Sequence, residues 1–120
     1  MKILIVDDSK AMRMIVRRTL RQAGLEDNEL DEAANGAEAL DALRRASFDL
    51  VLSDWNMPVM SGIELLSAVK SEKLEVRFGF VTSEGTPAMR QQASSAGAEF
   101  LIAKPFTADS FAQVLRPIVG

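Results

Sequence analysis

Hydrophobic positions fall along this chain in two alternating rhythms. Ile3-Leu4-Ile5-Val6, Leu50-Val51-Leu52 (ending at Ser53) and Phe100-Leu101-Ile102-Ala103 are short, unbroken apolar runs. Such runs read as strands buried on both faces, as in parallel sheets. Arg77 to Val81 supplies a fourth strand, and Leu30 to Ala34 a weaker one with little β-branching. Between the runs the period changes to three and four. Met12, Ile15, Val16, Thr19, Leu20 and Ala23 line one face of a helix that Ser9 caps and Gly24 stops. Ala39, Leu40 and Leu43 follow the Asn35-Gly36 turn, and Ile63, Leu66 and Val69 follow Ser61-Gly62. Phe111, Val114, Leu115 and Ile118 mark a last helix. The helix opening at Pro87 has little apolar stripe, since Gln91, Gln92, Ser94 and Ser95 interrupt it. Five strands alternating with five helices predict an α/β fold: a doubly wound, five-stranded parallel sheet with helices on both faces.

In such a sheet all strand ends of one kind open on the same edge, where open α/β folds place their ligands. Here those ends carry Asp7-Asp8 after the first strand, Asp54 after the third, Thr82 after the fourth and Lys104 after the fifth. Any one of these acids alone reads as a helix cap or Asx-turn. Together in one crevice they are hard to explain as caps. Two like charges about 4 Å apart repel by roughly 4 kcal/mol at an effective dielectric of about 20. Three ionised carboxylates therefore call for protonation or a cation, and oxygen-only ligands favour a hard ion such as Mg2+. Lys104 cannot neutralise three acids, but it can grip an anion arriving there. Three acids, a divalent ion, a hydroxyl and a lysine describe a phosphoryl-acceptor site. Asp54 is its expected nucleophile, and Thr82 a hydrogen-bond donor to the attached group.

Composition narrows the class further. At 120 residues, 48% hydrophobic and 26% charged, the chain has the length and balance of one globular domain. No apolar stretch approaches the ~20 residues of a membrane span, and the N-terminal apolar run is too short for a signal peptide. Cys and His are both absent, which removes disulfides, thiolate chemistry, Cys-based metal sites and a histidine general base. The net charge of −3 argues against a broad nucleic-acid surface. A cytoplasmic monomer is the expectation.

At this point the sequence resembles the response-regulator receiver domains of two-component signalling. The resemblance is carried by Val6-Asp7-Asp8-Ser9, Ser53-Asp54-Trp55-Asn56-Met57-Pro58, Ser61-Gly62, Val81-Thr82-Ser83-Glu84, Gly97-Ala98 and Lys104-Pro105-Phe106, and covers essentially the whole chain. It is nearest to the single-domain regulators of chemotaxis. It implies strand order 2-1-3-4-5, phosphorylation of Asp54 by a histidine kinase, and Mg2+ held by Asp7, Asp8, Asp54 and the backbone carbonyl of Asn56. It also implies switch roles for Thr82 and Lys104, a cis bond between Lys104 and Pro105, and an output face made of the fourth helix, fifth strand and fifth helix. Asn56 and Glu84 occupy positions that tune dephosphorylation in the family. One receiver domain over residues 1–120, with no output domain, is expected to act by protein contact, with a flagellar motor switch protein as the favoured target. A relay intermediate or phosphate sink is the alternative. One departure stands out: three positions before the lysine, where the family usually has Tyr or Phe, this chain has Leu101. Alternation sends its neighbour Phe100 to the opposite face.

Other readings fare less well. A Mg-dependent phosphohydrolase similar to the haloacid dehalogenase class would need an acid two residues after the nucleophile, and Asn56 is an amide. A dinucleotide fold would need Gly-x-Gly-x-x-Gly after the first strand, where Asp-Asp stands. Trp55 is expected at a partly exposed pocket rim, and Arg13, Arg17, Arg18 and Arg21 on a solvated helix face.

Overall fold

The structure, a computed structural model, describes residues 1–25 and 28–119; Gly120, the last residue of the expected domain, lies outside them. Five strands, β1 (Lys2–Val6), β2 (Glu29–Ala33), β3 (Leu50–Ser53), β4 (Arg77–Thr82) and β5 (Phe100–Ala103), alternate with five helices. These are α1 (Lys10–Gln22), α2 (Gly36–Arg45), α3 (Gly62–Ser71), α4 (Pro87–Ala96) and α5 (Ala108–Val119). All pairings are parallel and the strand order is β2-β1-β3-β4-β5, the doubly wound arrangement expected.

The strand side chains sort by alternation. Leu4, Val6, Val51, Phe78 and Phe80 face a layer made by Leu40, Leu43, Leu65, Leu66, Val69 and Ala93 of α2, α3 and α4. Ile3, Ile5, Leu50, Leu52, Val81 and Ile102 face Val16, Leu20, Phe111 and Leu115 of α1 and α5. Every residue of β3 is buried, as a central strand between two helical layers must be. β2, at the edge, buries only Ala33, which explains its faint signature in the sequence. Leu101 packs with the first layer and Phe100 with the second, so the two do occupy opposite faces.

The helix ends follow local chemistry. Ser9, Asn35, Ser61 and Thr86 each accept a backbone N–H in the first turn of the helix they precede, and Ser61 with Glu64 completes a capping box. α4 buries a single residue, Ala93, and ends on Gly97 at φ 104°. It exists, but it is the most weakly anchored of the set.

Candidate functional site

Register places the site. Val6 pairs with Ser53, so Asp7 and Asp54, one step beyond, leave adjacent strands side by side, and the Asp54 N–H donates to the Val6 carbonyl at 2.8 Å. Thr82 pairs with Ala103, which sets Lys104 beside Thr82; the Lys104 N–H donates to the Thr82 carbonyl at 2.7 Å. The peptide bond from Lys104 to Pro105 is cis.

The result is one acidic cluster with a lysine reaching into it. Carboxylate oxygens of Asp7, Asp8 and Asp54 lie within 4.8 Å of one another. Lys104 Nζ is 3.2 Å from Asp7 Oδ2 and 3.5 Å from Asp54 Oδ2. Asp7 is held at every polar atom. Its N–H donates to Ala33 O (3.1 Å), its carbonyl accepts from Arg13 Nη1 (2.5 Å), and its Oδ1 accepts from the Ser9 N–H (2.9 Å). Asp8, next in the chain, is exposed. Asp54 Oδ1 accepts the Trp55 N–H at 2.7 Å, leaving Oδ2 toward Lys104.

Burial pushes the Asp54 carboxyl above the usual carboxylate range; the nearby Asp7 charge pushes the same way, while Lys104 and the Trp55 N–H pull against it. One lysine among three carboxylates leaves the ionised cluster with a charge deficit that an added cation would relieve. The donor set is all oxygen, with no cysteine thiolate or histidine imidazole anywhere in the sequence, and so suits a hard divalent ion. Asn56 is exposed in the turn two residues past Asp54. Thr82 is fully buried at the end of β4, its Oγ1 accepting the Glu84 N–H at 3.4 Å.

For several residues named from the sequence, the part they play between elements escaped that reading. Gly62 is one: a Cβ there would lie 2.1 Å from the Asp54 carbonyl oxygen and 2.8 Å from the Phe80 ring, so only glycine lets α3 start this close to the acid. Its N–H also donates to Trp55 O at 2.8 Å. Trp55 itself is buried, not the partly exposed rim expected. It is 8% exposed and tilts against Phe80 with ring centroids 4.6 Å apart, because the turn after Asp54 folds its side chain under α3. Arg13 and Arg17 are not merely solvated. Both pair with Glu32 on β2, and Arg17 also donates to Leu30 O at 3.0 Å, clipping α1 to the edge strand. Burial raises the Glu32 carboxyl, but the two guanidiniums outweigh that and hold it below its ordinary value. Arg18 and Arg21 stay exposed as expected.

Comparison with known proteins agrees with this fold. Residues 3–116 match the response regulator receiver domain family. The chain is 40% identical over 120 residues to a chemotaxis protein CheY-3 of Vibrio cholerae, covering 98% of this chain and 91% of that protein. It is 39% identical over 123 residues to a chemotaxis protein CheY homolog of Campylobacter jejuni, covering 100% and 93%. The solved structure of the chemotaxis response regulator CheY4 of Vibrio cholerae superposes with a TM-score of 0.84 at 36% identity, covering 98% of this chain and 97% of that one. Among the described residues no helix is long and apolar enough to cross a membrane. By sequence and by fold, the chain belongs to the response regulator receiver domain family, and within it is similar to the chemotaxis regulators of the CheY type.

Proposed function

We propose that this receiver domain is a phosphoacceptor in a two-component relay, with Asp54 the residue modified. The observation that carries the reading is the meeting of Asp54 with Asp7, Asp8 and Lys104 at one strand edge. In the step envisaged, an Asp54 carboxylate oxygen forms a bond to phosphorus as the P–N bond of a kinase phosphohistidine breaks. The electron pair of that bond passes to the imidazole nitrogen, leaving an acyl phosphate on Asp54. Lys104 supplies an ammonium where charge builds on the phosphoryl oxygens, and the Thr82 hydroxyl donates to one of them once the group is attached. Asp7, Asp8, Asp54 and the Asn56 backbone carbonyl are the groups that would hold Mg2+, an ion that offsets charge on the transferring group when bound.

The chain would thus catalyse only its own phosphorylation and dephosphorylation, and is not an enzyme acting on other substrates. Asn56 supports this, because an amide cannot protonate a leaving group as a phosphohydrolase requires. Downstream, the face formed by α4, β5 and α5 would change its affinity for a protein target. The chemotaxis names of the relatives favour a flagellar motor switch protein in the cytoplasm, with this chain acting as a monomer. A relay intermediate or phosphate sink is the second reading. Incubation with acetyl phosphate and Mg2+, followed by intact mass, tests the proposal: one phosphoryl group gained supports it, and none gained refutes it.

A further inference from the structure

The loop from β4 to α4 leaves the sheet at Thr82, inside the site, and is fastened in two places. Thr82 Oγ1 accepts the Glu84 N–H at 3.4 Å, so a hydroxyl that turns toward Asp54 takes the acceptor away from that amide. One residue further on, the Gly85 carbonyl accepts from Arg90 Nε at 3.3 Å. The same guanidinium reaches across to β5, where Nη1 donates to the Leu101 carbonyl at 3.1 Å. Loop and strand are close beneath it. A Cβ on Gly85 would lie 3.0 Å from Ala103 Cβ, 3.2 Å from Arg90 Nη2 and 3.7 Å from Leu101 Cδ2. Leu101 offers this junction no polar side-chain atom of its own, so the polar connection between loop and edge strand is made by Arg90.

We propose that Arg90 is a positioning residue that tethers the β4–α4 loop to β5 and thereby restrains the turning of Thr82 toward a phosphorylated Asp54. The inference rests on the phosphoacceptor reading of Asp54. A planar guanidinium suits this task because its donors diverge in a fixed fork and can serve two carbonyls at once, which a single ammonium cannot. The tether lies at the surface, where such bonds contribute modestly, about 1 kcal/mol net or roughly fivefold in an equilibrium. That size suits a restraint to be released rather than a structural lock. Loss of Arg90 should raise the population of the loop-released state and so favour whatever binds that state.

Two measurements on Arg90→Ala and Arg90→Lys test this against the unmodified chain. The first is amide hydrogen exchange in the unphosphorylated protein. The Glu84 and Lys104 amides, which donate to Thr82 Oγ1 and Thr82 O, should exchange about fivefold faster in both variants, with Ile5 and Leu52 unchanged, as loss of a net hydrogen bond of about 1 kcal/mol predicts. The second is titration with beryllium fluoride and Mg2+, a phosphoryl mimic, read by Trp55 fluorescence. Half-saturation should fall by a similar factor in both variants. Loop exchange unchanged in Arg90→Ala overturns the proposal. So does exchange quickened equally in the core with an unaltered titration, which marks a merely structural role. Wild-type exchange in Arg90→Lys overturns it too, by showing that charge alone suffices. An unmodified chain that takes up no beryllium fluoride, with loop exchange still quickened in the variants, removes the phosphoacceptor reading and leaves the tether standing.

Discussion

Lys104 and Asp7, 97 positions apart in the chain, meet at 3.2 Å between Nζ and Oδ2. The ammonium sits among carboxylates that would otherwise repel one another, and it does so in the region where a cation would bind. Removing it exposes both effects. Lys104→Ala should lower the stability of the metal-free protein in urea, and Mg2+ should restore more of that stability than it adds to the unmodified chain. A ligand at about 100 times its Kd adds about 2.7 kcal/mol, and the variant should reach that gain at lower Mg2+. An equal Mg2+ requirement in both proteins would show that Lys104 does not compete with the ion.

Asp54 makes an opposite, pH-dependent prediction. Its carboxyl is raised by burial and by Asp7, so the folded chain holds its proton more tightly than the unfolded one. Stability contributed by the protonated form is present below the ordinary carboxylate range and is lost as pH rises through the raised value. At neutral pH, Asp54→Asn should therefore stabilise the metal-free chain by about 1–2 kcal/mol, the usual gain when an unfavourable feature is removed. The gain should shrink in acid. Urea midpoints at several pH values check this, and a variant less stable than the parent at neutral pH would contradict it.

Glu32 carries the reverse sign. Arg13 and Arg17 hold its carboxyl below the usual value, so its stabilisation is present above the ordinary pKa and lost as pH falls through the lowered one. Glu32→Gln should cost no more than about 1 kcal/mol near neutral pH, because the pair is partly exposed and screened by salt. The difference from the parent should vanish in acid and diminish in high salt. A cost independent of both would mean that packing, not charge, joins α1 to β2.

Gly62 is a steric prediction. The Asp54 carbonyl, 2.1 Å from the place of a new Cβ, is backbone and cannot swing aside. Gly62→Ala should destabilise by about 3 kcal/mol, at the upper end of overpacking, and shift Trp55 fluorescence even without denaturant. A neutral effect in a urea melt would place α3 farther from the acid.

Val59 is the converse, a residue that ought to be improvable. It is 81% exposed with φ 69°, a conformation costly for a β-branched side chain, and is pinned there by its anchored neighbours. Met60 N–H donates to Pro58 O at 2.7 Å, and Met60 O accepts the Gly36 N–H at 3.2 Å. Val59→Asn should raise stability by about 1 kcal/mol, since Asn tolerates the left-handed region. A lower urea midpoint would show that the valine side chain makes contacts of its own.

The contrast between what the chain announces and what it conceals has a physical basis. β3 is legible because both of its faces are buried, so four consecutive residues carry the signal. β2 is faint because one edge strand with one buried residue needs no apolar run. The meeting of Asp7, Asp54, Thr82 and Lys104 follows from parallel strands alone, which is why it can be anticipated without coordinates. The roles of Arg13 and Arg17 cannot, because α1 read by itself shows only an arginine face, and Glu32 becomes their partner through β1–β2 pairing. Likewise, Trp55 next to an acid suggests exposure, until Gly62 lets α3 close over it. Interactions between elements, rather than within them, are what the pattern leaves out.

The most direct measurement locates the phosphoryl group itself. After reaction with acetyl phosphate and Mg2+, borohydride reduction converts an aspartyl phosphate to homoserine, and peptide masses identify the position. Homoserine at residue 54, absent when Mg2+ is chelated beforehand, is the predicted result. Homoserine at position 7 or 8, or at no aspartate, would contradict the account.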